Sequence, residues 1–231
     1  MIPNIQLKIK WYYLIILFTN LTSAQEQSKK EFNSIVTLSA LSPTFNFAPR
    51  WNLGYIKKID KRYWAGIEVG YGNKDIAVNF AKESRIKDDF KIFEIKPEFY
   101  YQLNPESKLR HLLSLEIQYL KHTDKFENTW YYNLDNEVYY KFASADYKRI
   151  KYGININHNL IYNITENLAL MQKVGIGFRK RNVTYSNVIN RTEDWGFEET
   201  GFIVRTDGYL VDNGICNSFN FNLDLKIIYK F

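Results

Sequence analysis

The chain is poor in the residues that staple small folds or hold metals. Cys216 is its only cysteine, so it has no intrachain disulfide framework and no cysteine cluster for a metal. Three histidines, His111, His122 and His158, leave little material for a His-rich site. No stretch of about 18 apolar residues occurs, which removes any helical membrane span. The net charge of +6 is spread along the chain without a dominant Lys/Arg run, so nucleic acid is not an expected partner. The phosphate-cradling pattern GxxxxGK[ST] is absent, and Gly66, Gly70 and Gly72 fall at strand spacing. No cofactor is expected.

Aromatic residues are abundant instead. They make up 17% of the 231 residues, with 18 Tyr and 16 Phe. Tyr and Phe favour strands over helices, so the composition points to an all-β chain. Apolar residues at 45% and charged residues at 24% provide for a folded domain rather than a disordered one.

Residues 1–24 read as a secretory signal peptide. Lys8 and Lys10 supply the positive start, a short apolar core runs from Trp11 to Leu21, and Thr22, Ser23 and Ala24 are the small residues at a cleavage site near Ala24. The core falls well short of the ~20 residues that cross a bilayer as a helix. Residues 25–33 read as a short polar leader, and residues 34–231 as one domain.

That domain alternates with period two. In 219–231, Phe219, Phe221, Leu223, Leu225, Ile227, Tyr229 and Phe231 share one face; Asn220, Asn222, Asp224, Lys226 and Lys230 share the other, with Ile228 as the exception. A helix would mix these sets. Segments 149–163 and 91–103 repeat the pattern, and further strands are expected over 34–42, 50–59, 62–71, 110–122 and 168–183. Eight strands result. Their connections alternate in length: short near 60–61, 104–107 and 165–167, long over 43–49, 72–90, 123–147 and 184–218. Strands running up and down place all long loops at one end, the layout of outer-membrane barrels. The expected fold is an eight-stranded antiparallel up-and-down transmembrane β-barrel.

The closing residues Leu225, Lys226, Ile227, Ile228, Tyr229, Lys230 and Phe231 resemble the C-terminal signal of bacterial outer-membrane β-barrel proteins. The resemblance implies that Ile227, Tyr229 and Phe231 are recognised by the barrel-insertion machinery. The stretch from Ile35 to Gly72 is similar to the start of small uncharacterised barrels of that class. It contains Ser39-Ala40-Leu41-Ser42-Pro43, then Asn52 to Ile59, then the Gly-rich Trp64 to Gly72. It implies an outer-membrane location with lipid as the surrounding partner, and carries no catalytic residues.

The residues opposite the apolar set decide which face points inward. Glu68, Glu94, Lys96, Glu98, Glu116, Arg149, Lys151, Lys173, Arg179, Asp224 and Lys226 alternate with the apolar positions, as do several glycines. Acidic members cluster on the third to fifth strands and basic members on the sixth to eighth. Closure would set them across a narrow lumen as a salt-bridged plug, because an unpaired buried charge is costly. Tyr55, Tyr63, Tyr101, Tyr162, Tyr229 and Phe231 sit near the short-turn ends, where an aromatic girdle belongs.

Catalytic constellations are scarce. His111 and Ser114 are three apart, which puts them on opposite faces of a strand. Glu94 and Glu98 share a face but have basic partners within reach. Function is therefore placed in the long loops: Trp130, Tyr131, Tyr132, Tyr139 and Tyr140 in the third, Trp195 and Phe197 in the fourth. The expected role is a non-enzymatic outer-membrane protein with structural or surface contacts. The alternatives are an outer-membrane lipid-modifying enzyme, such as a hydrolase or acyltransferase, and a secreted soluble lipid-binding barrel.

Overall fold

The computed structural model describes residues 32–45, 47–78, 89–104, 109–193 and 208–231. The signal peptide and most of the leader lie outside them. Nearly everything described is strand: β1 (Ser34–Ser39), β2 (Trp51–Lys58), β3 (Tyr63–Asn73), β4 (Lys91–Gln102), β5 (Arg110–Asn133), β6 (Val138–Asn163), β7 (Leu168–Ile189), the two-residue β8 (Thr192–Glu193) and β9 (Asp212–Lys230). A one-turn 3₁₀ segment, Ser42–Thr44, follows β1, and a four-residue helix α1, Gly208–Val211, precedes β9.

Each long strand pairs antiparallel with the next, β7 pairs with β9, and β9 pairs with β1. The sheet is thus a closed ring of eight strands with no free edge. Its pitch follows from the register. Leu38 pairs with Leu53, Leu53 with Val69, Val69 with Ile95 and Ile95 with Tyr119. Tyr119 pairs with Tyr152, Tyr152 with Lys180 and Lys180 with Asn217. Continued through the Leu38↔Ile227 pairing, the line re-enters the β1 segment about ten residues beyond Leu38. With ~3.3 Å per residue and ~4.8 Å between strands, that stagger tilts eight strands by about 40°.

The strands are taller on one side of the ring than the sequence led us to expect. The expected loop over 123–147 is strand at both ends, and β5 and β6 meet in a turn of four residues, 134–137. β7 continues to Ile189, and β9 begins at Asp212 rather than near Phe219. Strict alternation of long and short loops therefore fails at this connection. The cause is a phase slip. Below it, Phe126 on β5 and Ala145 on β6 point inward; above it, Tyr131 and Tyr140 do, although the two residues on each strand are five positions apart and should face opposite ways. Asn128 takes up the slip with φ 49°, in the left-handed region that Asn tolerates. The β6–β7 register shifts at the same height, between Ser144 and Asp146.

Above the eight-stranded ring, the tall strands close on themselves. Tyr132 and Asn133 of β5 pair parallel with Asp212 and Asn213 of β9. Four strands then enclose an apolar core of Phe126, Tyr131, Tyr140, Phe142, Tyr147, Val183 and Tyr185, with Leu210 and Val211 of α1. At the opposite end, Phe32, Ile35, Ile56, Trp64, Tyr100, Leu112, Ile161, Met171 and Ile228 form an apolar floor. Phe32 and the backbone of Asn33 belong to this end, with Asn33 N donating to the Phe231 carbonyl at 3.3 Å, although the sequence placed both in the leader. Ile228, the exception in its strand's alternation, is fully buried in the floor.

Candidate functional site: the charged interior

Between the apolar floor and the aromatic core, the interior is polar. Alternation aims one residue in two inward, and on β3, β4, β5, β7 and β9 these include Glu68, Glu94, Lys96, Glu98, Glu116, Lys173, Asp224 and Lys226, all buried. Lys173 pairs with Glu98 and, at 2.8 Å, with Glu116. Lys226 pairs with Glu68, and its ammonium is 3.8 Å from Asp224. These pairs cross from the last strands to the middle ones, as closure of the ring requires.

Other pairs were not anticipated. Glu94 is held from its own side of the ring: Arg50, ahead of β2, clasps it with Nε at 2.7 Å and Nη2 at 2.8 Å. Lys96 reaches Glu68 on the neighbouring strand and lies 3.4 Å from Glu94. A shell of neutral donors satisfies the remaining carboxylate lone pairs. Asn52 Nδ2 donates to Glu94 at 2.9 Å and Glu68 at 3.1 Å. Asn155 Nδ2 donates to Glu116 at 2.8 Å, the Tyr100 hydroxyl to Glu98 at 2.7 Å, and Ser39 Oγ to Asp224 at 2.6 Å. Gln118 and Ser114 complete the shell on Glu94 and Glu98. Buried ion pairs are tolerated when hydrogen bonds of this kind accompany them. The missed residues carried a signal: Arg50 and Asn52 alternate with Trp51, Leu53 and Tyr55, as an inward set must.

Arg149 and Lys151 are buried, and Arg179 is half-buried. They lie nearer the 134–137 turn than Asn155 and Asn157, in a basic layer above the Glu belt. Arg149 Nη2 donates to the Phe47 carbonyl at 3.0 Å, and Arg181 pairs with Asp212 at 3.3 Å. His122 lies well inside β5, whereas the strand expected over 110–122 ended at it. It is fully buried, registered opposite Arg149, with its ring against Tyr147 at 5.1 Å.

The five aromatic residues expected in the third loop are strand residues. Tyr131 and Tyr140 are buried in the upper core, Tyr131 stacked on Tyr185 at 4.6 Å. Trp130, Tyr132 and Tyr139 are half-buried on the other face, with ring centroids 5.5 Å apart for Trp130–Tyr139 and 4.7 Å for Tyr132–Tyr139. Arg191, just past β7, lays its guanidinium 4.8 Å from the Tyr140 ring centre. Its bond to the Tyr131 hydroxyl holds its pKa above the ordinary value. Trp195 and Phe197 lie outside the described residues.

The outer face is the converse of the interior. Leu53, Ile67, Val69, Phe93, Phe99, Leu115, Ile117, Ile154, Ile156, Ile176, Phe178, Phe221 and Leu223 are all exposed. Rings cluster toward the short turns, where Tyr63 meets Tyr101 at 5.4 Å and Phe99 at 5.8 Å, and Tyr229 meets Phe231 at 6.3 Å. Tyr55 and Ile227 are exposed on the same face, and Tyr162 is half-buried. A second group lies higher, with Trp51 paired with Tyr71 and Tyr71 with Phe93.

For catalysis the geometry offers little. Ser114 points inward to Glu98, whereas His111 points outward to His158. Among the described residues no three His, Cys, Asp or Glu side chains gather as a metal site.

No family model matches the sequence, and no curated protein matches it either. Among solved structures, the chain is similar to a major outer membrane protein from Thermus thermophilus, over 86% of this chain and 98% of that one, at 10% identity and a TM-score of 0.47.

Proposed function

We propose that the chain is an eight-stranded transmembrane β-barrel of an outer membrane, and that its role is non-enzymatic: structural or surface contacts made by its tall end. The inversion of inside and outside carries this reading. A water-soluble ring gains stability by facing its apolar residues inward. Here the buried layer is a charged belt, and the wall toward the surroundings is Leu, Ile, Val and aromatic residues around the circumference. Soluble monomers rarely expose contiguous apolar patches beyond a few hundred Å². Lipid in place of water removes that cost, and the closed ladder leaves no strand edge unpaired in the bilayer.

The height of the apolar wall supports the same reading. At about 40° tilt, Tyr63 and Tyr71 of β3 are ~20 Å apart along the axis, and Phe219 and Phe231 of β9 ~30 Å. These bracket the ~25 Å band of outer-membrane barrels. A secreted lipid-binding barrel would need the opposite interior. The lipid-modifying alternative needs a nucleophile and base together, which His111 and Ser114 are not.

The interior is filled by paired side chains, so the role assigned is contact rather than transport. The contact surface is the protruding β5–β6–β7–β9 wall, with the half-buried Trp130, Tyr132 and Tyr139 on it, in place of the long loop expected from sequence. The deciding experiment is fractionation with boiling. The protein is expected in the outer-membrane fraction and to migrate faster in SDS gels unboiled than boiled. Recovery as a soluble protein from unstressed cells, with identical migration in both states, would overturn the reading.

A further inference from the structure

His111 and His158 are brought together on the outer face, 47 positions apart in sequence. On β5, His111 shares its face with Leu113 and Leu115; on β6, His158 shares its face with Ile154 and Ile156. Leu113 pairs with His158 and His111 pairs with Leu160, so the two histidines are diagonal neighbours across one antiparallel ladder. His111 Nδ1 and His158 Nε2 are 3.0 Å apart, with ring centroids at 5.2 Å. His158 is exposed and His111 half-buried, and His111 is the second residue of β5, at the short-turn end of the outer face. Both strands are laddered on each side, which fixes the spacing of the two backbones that carry the rings.

We propose that this pair is a two-nitrogen site for a divalent transition-metal ion, of the class that takes tetragonal nitrogen ligation, copper(II) foremost. Metal–imidazole bonds of ~2.0–2.1 Å to two nitrogens 3.0 Å apart subtend about 95° at the metal. That bite fits adjacent corners of a square better than a tetrahedron, and square-planar or tetragonal nitrogen sites favour copper(II) and nickel(II). Copper(II) also heads the affinity order for nitrogen donors.

Without metal, one ring donates its N–H to the other. Binding moves that proton to the far nitrogen of the same ring through solvent, so both imidazoles stay neutral, and a turn of each ring about its side-chain torsions brings both lone pairs onto the ion. With two protein ligands, the remaining positions belong to water or an incoming donor. The pair lies on the outer surface whether water, detergent or lipid surrounds the ring, so this inference stands or falls apart from the membrane reading.

The test is a copper(II) titration of the full chain folded in detergent micelles, followed by calorimetry and electron paramagnetic resonance. The expected result is one equivalent of copper with hyperfine structure from two imidazole nitrogens. Affinity should fall at least tenfold in His111→Ala or His158→Ala, and the two-nitrogen signature should vanish in the double variant. His158→Gln substitutes where Ala lowers the folded yield, and the β-sheet circular dichroism of each variant verifies the fold. Retention of the two-nitrogen signal in the double variant, or unchanged affinity in both single variants, would overturn the proposal.

Discussion

Lys173 of β7 and Glu98 of β4 form an ion pair across the interior although 75 positions separate them in the chain. The same ammonium reaches Glu116 of β5 at 2.8 Å. One cation thus joins β7 to the paired strands β4 and β5 across the interior, and it does so where almost no water enters: Lys173 and Glu116 are each 1% exposed.

Replacing Lys173 with Met should therefore leave two buried carboxylates without their shared cation. Loss of one partner of a buried pair costs about 3–5 kcal/mol. We expect K173M to lose that much in urea unfolding from lipid vesicles. The triple variant Lys173→Met, Glu98→Gln, Glu116→Gln should recover most of it, since a neutral interior of similar volume carries no unpaired charge. A K173M protein as stable as the parent would show that the belt is solvated.

Glycine marks where strands leave no space inside. A Cβ placed at Gly177 collides with the Ile154 carbonyl oxygen of the neighbouring strand, a backbone atom. At Gly153 the nearest obstacle is the flexible Gln118 Oε1 at 3.2 Å. Gly177→Ala should cost about 3 kcal/mol or more, or prevent folding, whereas Gly153→Ala should stay within about 1 kcal/mol of the parent. Paired unfolding curves check this, and equal effects would contradict the packing described.

The upper core should open independently of the ring below it. Tyr131 stacks on Tyr185 and lies 5.4 Å from Tyr140 and 5.8 Å from Phe142. Truncation of a large buried ring costs about 3–5 kcal/mol. Because the upper four-stranded closure shares few residues with the eight-stranded ring, Tyr131→Ala should open the chain to trypsin at Lys125 and Lys141 while boiling-dependent gel mobility persists. Loss of that mobility in Tyr131→Ala would mean that the two parts fold as one unit.

Strand positions and faces were legible where alternation is unbroken. Phe219 to Phe231 and Ile150 to Tyr162 each keep one phase over more than ten residues, enough to separate outer from interior positions without any structure. Legibility stops at Asn128 and near Ser144, where one residue of phase is absorbed on each strand. Beyond such a slip, Tyr140 and Phe142 look out of step with Ala145 and Tyr147, and a regular hairpin reads as a loop. The identity of charge partners was legible only in part. Period two gives a face but no height, so Arg50 gave no sign that it would clasp Glu94, and Arg149 none that it would reach the Phe47 carbonyl. Height depends on the stagger accumulated around the ring, which no single strand encodes.

The strongest test of orientation compares two adjacent residues of β9. Leu223 is exposed at 57% on the outer face, and its neighbour Asn222 turns inward, donating to Glu116 at 3.1 Å and to Asn157 at 2.9 Å. With lipid outside, a cysteine at Leu223 should resist aqueous thiol reagents, and a fluorophore on it should be quenched by lipid-borne nitroxide or bromine. A fluorophore built at Asn222 should escape that quencher. The native Cys216, a free and half-buried thiol, is first replaced by Ser, a substitution expected to leave the fold intact. A charge at Leu223 extends the comparison: Leu223→Arg should cost about 2–4 kcal/mol near the bilayer midplane. The soluble alternative also resists a charge at Leu223, because there the residue is core, so only the quenching pattern separates the two. Quenching at 222 with none at 223 would reverse inside and outside, and with them the function proposed for the tall end.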